Sequence, residues 1–405
     1  MKRFTATLLS SALAGLLVTA GATAQETLKI GWIGPLSGWG TFGGTAIMRG
    51  TALAIDHINA EGGVNGRMLE LVPRDSAAKP EQAITVAREL IDSEEVYALI
   101  GKFDSSSAKA LNPVIHEGGV PMMLSIAAAT KNIEYERDPN FMFRTSGADH
   151  FIAEFLVDFA MEEYGAKKIA IGFEDTGYGF GGRDDITKAL EAKGMEPVAK
   201  VKFSRPDTDM TAQAQIIKRS EADAVILYSI AKADAMMIRS LNKVGAETTV
   251  ICAWAASSPE LPKFAGPLGE GITVMQTYSF LDENLDDLGN TMRADFMAKH
   301  EIPDPAKIPF PAFTAHAYDG MLLLGAAMNK ADLSLDAADL ASDRMKIRDA
   351  LENGLGPVQG LIKTYDPAFT KDNHDSVGPS DYIMTVWNEG KLIPYKGKHD
   401  WGKKH

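Results

Sequence analysis

A chain of 405 residues, 45% hydrophobic and 23% charged, has the balance of a folded protein and the length of two domains. Its formal net charge of −13 disfavours nucleic acid and anionic membranes as partners, since both carry like charge. A single cysteine excludes any intramolecular disulfide, so the fold must rest on core burial.

Residues 1–24 read as a secretory signal peptide. Lys2 and Arg3 give a positive start, Leu8 to Val18 form a short apolar run, and Ala22-Thr23-Ala24 is a small-residue cleavage site. The run is too short for a comfortable membrane span. No cysteine lies near the cleavage point, so a lipid anchor is not expected. Loss of the two leader cations takes the formal charge from −13 to −15, and the expected location is the periplasm.

The chain that follows alternates short apolar runs with amphipathic stretches. Leu28 to Gly34 predicts a strand, ending in the Gly/Ser/Pro loop 34–44. Thr45 to Glu61 repeats apolar residues at helical spacing. A strand is expected over Leu69 to Pro73, a helix over Pro80 to Ser93 with Pro in its first turn, and a strand over Val96 to Gly101. Ser105 to Glu117 reads as helix and Pro121 to Ser125 as strand.

After Phe141 to Arg144 the cycle restarts. Helices are expected over His150 to Tyr164, Gly181 to Lys193, Thr208 to Ser220 and Ala233 to Val244. Strands are expected over Lys168 to Phe173, Val198 to Phe203, Ala224 to Tyr228 and Thr249 to Ala253. The last contains Cys252, whose apolar neighbours imply a buried, inert thiol. This alternation predicts two α/β domains, each a doubly wound parallel sheet with helices on both faces. Such sheets bind ligands beyond the carboxyl ends of their strands, so the natural site is a cleft between the two.

Several stretches then resemble a known family: IGWIGPLSGWGTFGG, AIDHINAEGGVNGRMLELVPRDSAAKPEQAITVARELI, IGKFDSSSAKALNPVIHEGGVPMMLSIAAATK and FRTSGAD. They are similar to the periplasmic leucine/isoleucine/valine-binding proteins, the type I solute-binding proteins of ABC importers. The resemblance implies a periplasmic-binding-protein type I fold with a three-strand hinge. Crossings are expected near Thr145 to Gly147, Gln276 to Tyr278 and Gly360 to Lys363. It implies an N-terminal lobe of 25–145 and 280–360 and a C-terminal lobe of 146–279 and 361–405. The implied partners are a small carboxylate or amino-acid ligand and the permease subunits of the transporter. A monomer without cofactor or metal is expected.

The candidate binding residues follow strands. Asp104 to Ser107 opens a helix, where free N–H groups and partial positive charge favour an anion, although the same pattern makes a plain N-cap. In the family the first serine of this run grips the ligand carboxylate, which the resemblance assigns to Ser105. Ala128 and Thr130, in the small-residue loop after the next strand, match a family carbonyl and threonine. Tyr178 matches a tyrosine presented from the second lobe. Trp39 and Phe42, two aromatics in a glycine-rich loop, are expected as apolar pocket walls.

The sequence also departs from the family. Amino-acid binders hold the ligand ammonium with an acidic side chain where this chain has Trp254. Either Asp234 or Glu174 substitutes, or the ligand has no ammonium, as an aromatic or aliphatic acid would not. The family's early disulfide is absent, with Ala78 and Asp104 at its positions.

Other classes fit less well. Gly177, Gly179 and Gly182 satisfy G-x-G-x-x-G, which raises a Rossmann-type oxidoreductase. The acidic residue expected after the next strand is replaced by Phe203-Ser204-Arg205. None of the eight histidines stands in a metal or catalytic spacing, and Asp282 to Asp287 lacks the alternation of a calcium loop. His57 is expected at the surface. A ligand-sensing module of the same fold, feeding a signalling partner, is the non-enzyme alternative.

Overall fold

The computed structural model describes residues 27–134, 138–399 and 401–402, and the proposed leader lies outside them. The first run of βα units is β1 (Leu28–Gly34), α1 (Thr41–Ala60), β2 (Leu69–Asp75), α2 (Pro80–Arg88), β3 (Ala98–Gly101), α3 (Ser105–Gly118), β4 (Met122–Leu124) and β5 (Met142–Arg144). These strands form one parallel sheet, ordered β2-β1-β3-β4-β5. Helices cover both faces, which is why β1, β3 and β4 are nearly continuous apolar runs rather than alternating ones.

The second run is α4 (Asp149–Tyr164), β6 (Ile169–Glu174), α5 (Gly177–Ala192), β7 (Ala199–Phe203), α6 (Thr211–Arg219), β8 (Ala224–Tyr228), α7 (Ala231–Val244), β9 (Thr249–Cys252), α8 (Glu260–Ala265) and β10 (Thr273–Gln276). From β10 the chain returns to the first lobe as α9 (Asp287–Lys299), α10 (Pro311–Lys330), α11 (Leu340–Glu352) and a small ladder of β11 (Val358–Gln359) and β12 (Thr364–Tyr365). Then β13 (Ile383–Asn388) and β14 (Lys391–Pro394) join the second sheet, ordered β14-β13-β10-β9-β8-β6-β7.

Two features differ from the expectation of purely parallel sheets and of crossings at the positions given above. Both β10–β13 and β13–β14 are antiparallel. The turn between the last two strands has positive φ at Glu389 and Gly390, the backbone that a two-residue hairpin requires. The third passage between sheets falls at 378–382, not 360–363. Leu361 and Ile362 instead donate their N–H groups to Asp319 on α10, at 2.7 and 3.0 Å. Further on, 374–376 runs along β5: Arg144 N–H donates to the His374 carbonyl at 2.9 Å, and Ser376 N–H to the Arg144 carbonyl at 3.1 Å.

α10 is buried almost all round, as a helix wedged between a sheet and another helix must be. It packs on α1, and His57 ties the two together. The His57 ring bonds the Tyr318 hydroxyl at 2.7 Å and Asp295 of α9 at 3.1 Å, so this partly exposed residue also links helices.

Candidate functional site

Every parallel strand of both sheets except β2, β5 and β10 ends beside one small cavity between the lobes. With the open solvent at its mouth included, the space measures about 330 Å³. The first lobe contributes Trp39 after β1, Phe103, Asp104 and Ser105 after β3, and Ile126 and Ala128 after β4. The second contributes Tyr178 after β6, Arg205 after β7, Ile230 after β8, and Trp254 and Ala255 after β9. Phe313, in the first turn of α10, closes the remaining side. The lobes touch across the cleft, where Gly177 N–H donates to Ser106 Oγ at 3.2 Å.

Five expected site residues, Trp39, Ser105, Ala128, Tyr178 and Trp254, are therefore brought together. Thr130 and Phe42 are not. The Thr130 hydroxyl donates to Asp185 of α5 at 2.8 Å and accepts the His150 N–H at 3.1 Å, so it latches one lobe to the other beside the cavity. Phe42 is 63% exposed because α1 begins at Thr41, earlier than expected, and carries it to the outer face.

Ser105 is buried at the start of α3, and its oxygen accepts the Ala129 N–H at 3.3 Å. Asp104 caps the helix, accepting the Ser107 N–H at 2.8 Å, and meets the fully buried Lys102 ammonium at 3.1 Å. Burial opposes the Asp104 charge, but Lys102 and Ser107 hold its carboxyl below the usual range. The ion pair leaves this wall of the cavity close to neutral.

On the second lobe, Thr176 caps α5 and accepts the Gly179 N–H at 3.4 Å, which starts the helix at Gly177 and places Tyr178 in its first turn. The glycines serve packing: a Cβ on Gly179 would lie 2.0 Å from the Glu174 carbonyl oxygen, and one on Gly182 2.1 Å from the Tyr228 ring. Their spacing needs no dinucleotide to explain it. The Tyr178 hydroxyl is buried and makes no regular hydrogen bond, although the Trp254 side chain lies beside it. Burial, with Asp149 and Glu174 near, keeps this phenol protonated far above its ordinary range.

Arg205 is a cavity-lining residue that strand-by-strand reading passed over. It bonds Glu174 through Nε at 2.9 Å and also through Nη2, and its guanidinium lies 3.7 Å from the centre of the Trp39 ring across the cleft. Glu174 additionally accepts from the Thr176 hydroxyl at 2.6 Å and the Ile230 N–H at 3.3 Å. Asp234 faces away from the cavity: it accepts from the Ser229 hydroxyl and adjoins the Cys252 thiol. Burial pushes its carboxyl up to about 8.

Behind the floor, Arg144 is fully buried and reaches both Asp375 oxygens, at 2.5 and 3.0 Å. Its Nη1 donates to the carbonyls of Ala128 and Ala129, at 2.7 and 2.9 Å. Asp149 N–H also donates to the Ala128 carbonyl, at 2.9 Å. The Asp149 carboxylate accepts the Tyr228 hydroxyl at 2.5 Å, and burial raises it to about 7.

Among the described residues no helix is long and apolar enough to cross a membrane, and no cluster of three or more His, Cys, Asp or Glu is set to hold a metal ion. Two α/β lobes whose strand ends converge on one cleft define a hinged binding protein. The sequence profile of the periplasmic binding protein family matches residues 27–391, and the chain belongs to that family, whose members are extracytoplasmic binding proteins. It is 28% identical to a Leu/Ile/Val-binding protein homologue of Brucella abortus, over 96% of each chain. Among solved structures, a type 1 periplasmic binding protein from Bordetella pertussis superposes with a TM-score of 0.80 at 22% identity, covering 91% of this chain and 100% of that one. An ABC-transporter solute-binding protein of R. palustris, solved with 4-hydroxybenzoate, gives 0.74 at 22% identity, covering 94% and 99%.

Proposed function

We propose that this chain is the substrate-binding component of a branched-chain-amino-acid-type ABC importer, holding an amino acid or related small carboxylate in the interdomain cleft. It is a binding protein rather than an enzyme, works in the periplasm, and delivers its ligand to the membrane permease subunits. The observation that carries this reading is the convergence of strand ends from both sheets on one cavity, with a buried serine at a helix N-terminus on one wall and an arginine and a buried tyrosine on the other. The Brucella relative, a Leu/Ile/Val-binding protein homologue, and the R. palustris neighbour, crystallised with an aromatic acid, support the ligand range. We divide the lobes as 25–145 with 280–377 and 146–279 with 378–405. The packing of 361–377 on α10 and β5 favours this last boundary over one at 360.

Ser105 is the residue on which the reading is tested. Its hydroxyl and the first N–H groups of α3 meet the ligand carboxylate, so Ser105→Ala should weaken binding by roughly 1.5–3 kcal/mol, the range for a hydrogen bond to a charged group. Titration calorimetry on the purified protein measures this. An unchanged affinity in the variant overturns the carboxylate assignment.

A further inference from the structure

We infer that the cleft is built for an aromatic monocarboxylate lacking an α-ammonium group, an inference that rests on the binding-protein reading and names its ligand class. An amino acid brings a cation and an anion into the same closed space. Each needs a partner there, because an ion buried without one is costly.

The acceptors that an ammonium would need are either engaged or lie off the cavity lining. Trp254, which lines the cavity, is an indole buried to 1% exposure and offers an ammonium no carboxylate. Asp234 is turned toward Ser229 and Cys252, and Glu174 is bound by Arg205, Thr176 and Ile230. The Ala128 carbonyl has two lone pairs and two donors, Arg144 and the Asp149 N–H. Asp104 borders the cavity, but Lys102 and the Ser107 N–H already answer its charge.

Donors suited to an anion, by contrast, remain open. The Tyr178 hydroxyl is buried in the cavity wall without a regular hydrogen bond, and it is the polar group that a bound carboxylate would satisfy. Across from it the Ser105 hydroxyl can still donate while its oxygen accepts from Ala129. Arg205 gives Nε and Nη2 to Glu174, which leaves Nη1 outside that pair.

The rest of the wall is shaped for a flat ring. Trp39 and Phe103 lie 5.4 Å apart and tilted, while Phe103 and Trp254 stand edge-on to Phe313 at 6.1 and 5.1 Å. These are the separations and angles at which aromatic rings attract one another, and a benzoate-type ring extends the same pattern. Arg205 already covers a face of Trp39, so the cage is not arranged for a second cation.

The test is calorimetry on the wild-type protein with benzoate, 3-phenylpropanoate, L-phenylalanine, L-leucine and glycine betaine. At least one of the two aromatic acids should bind, and 3-phenylpropanoate should bind about tenfold or more tighter than its amino counterpart L-phenylalanine. Tyr178→Phe keeps the ring and should weaken the acid by about tenfold or more, with thermal unfolding little changed. Binding of L-phenylalanine, L-leucine or glycine betaine with both acids silent at millimolar concentration overturns the inference and leaves the binding-protein reading intact. Failure of all five probes overturns both. Because the ligand comparison needs no variant, a misfolded Tyr178→Phe protein does not spoil it.

Discussion

Asp149→Asn should make the protein more stable at alkaline pH and leave it unchanged in acid. Asp149 opens α4 at the first crossing between lobes. It is wholly buried, with one oxygen bonded to Tyr228 and the other unbonded, Arg144 of β5 on one side and Asp185 of α5 on the other. Burial is the largest influence on it and raises the carboxyl from 3.8 to about 7. The folded chain therefore keeps a proton between roughly pH 4 and 7 that the unfolded chain has released. The stability contributed by this group is fully present below pH 4 and is lost as pH rises through 7. Three pKa units correspond to at most about 4 kcal/mol. Asparagine is neutral throughout, so the advantage of the variant should grow from near zero at pH 4 to a plateau above pH 8. For a chain of this size that is roughly 5 °C in unfolding temperature. Thermal unfolding of both proteins across pH 4–9 tests it. A difference that stays flat, or a variant less stable at pH 8, would falsify the reasoning.

Two further outcomes follow from the described contacts. Arg144→Met leaves Asp375 charged and two cleft carbonyls without their donor, and should cost about 3–5 kcal/mol, or roughly 4–6 °C; a loss under 1 °C in thermal unfolding would show that water replaces the guanidinium. Ligand binding should lower the radius of gyration in X-ray scattering, because among the described residues the lobes are joined covalently only by the crossings at 145–148, 277–286 and 378–382; superimposable curves at saturation argue against a site between them.

The order of strands and helices through Cys252 was legible because each has its own period and its own punctuation. Leu28–Gly34 and Ala224–Tyr228 match their expected limits residue for residue. Strand ends in parallel sheets marked the loops that hold Tyr178 and Trp254, and the family resemblance singled out these two residues within them. What escaped was set by partners distant in sequence. Thr130 sits next to the cavity, but Asp185, 55 residues away, claims its hydroxyl. Arg205 followed a strand end as clearly as Ser105 did, and applying the same rule to every strand would have found it. The last crossing lay beyond reach, because nothing near Gly360 announces that Asp319 will capture the following amides.

Arg344 and the route of the last 120 residues bear on how such a chain acquires its shape. The Arg344 guanidinium on α11 donates to the carbonyls of Val96 and Ile91, across some 250 positions of sequence, and α10 fills the space behind β3 and β4. β13 slots beside β10 only after the chain has visited the other lobe. Neither half can finish its interior until nearly all of the polypeptide is present. Such long-range closure is slow, since loop entropy must be overcome before distant contacts reward it. A nascent chain with this wiring stays open until its C-terminus is available, which is the condition that threading through a narrow export channel requires.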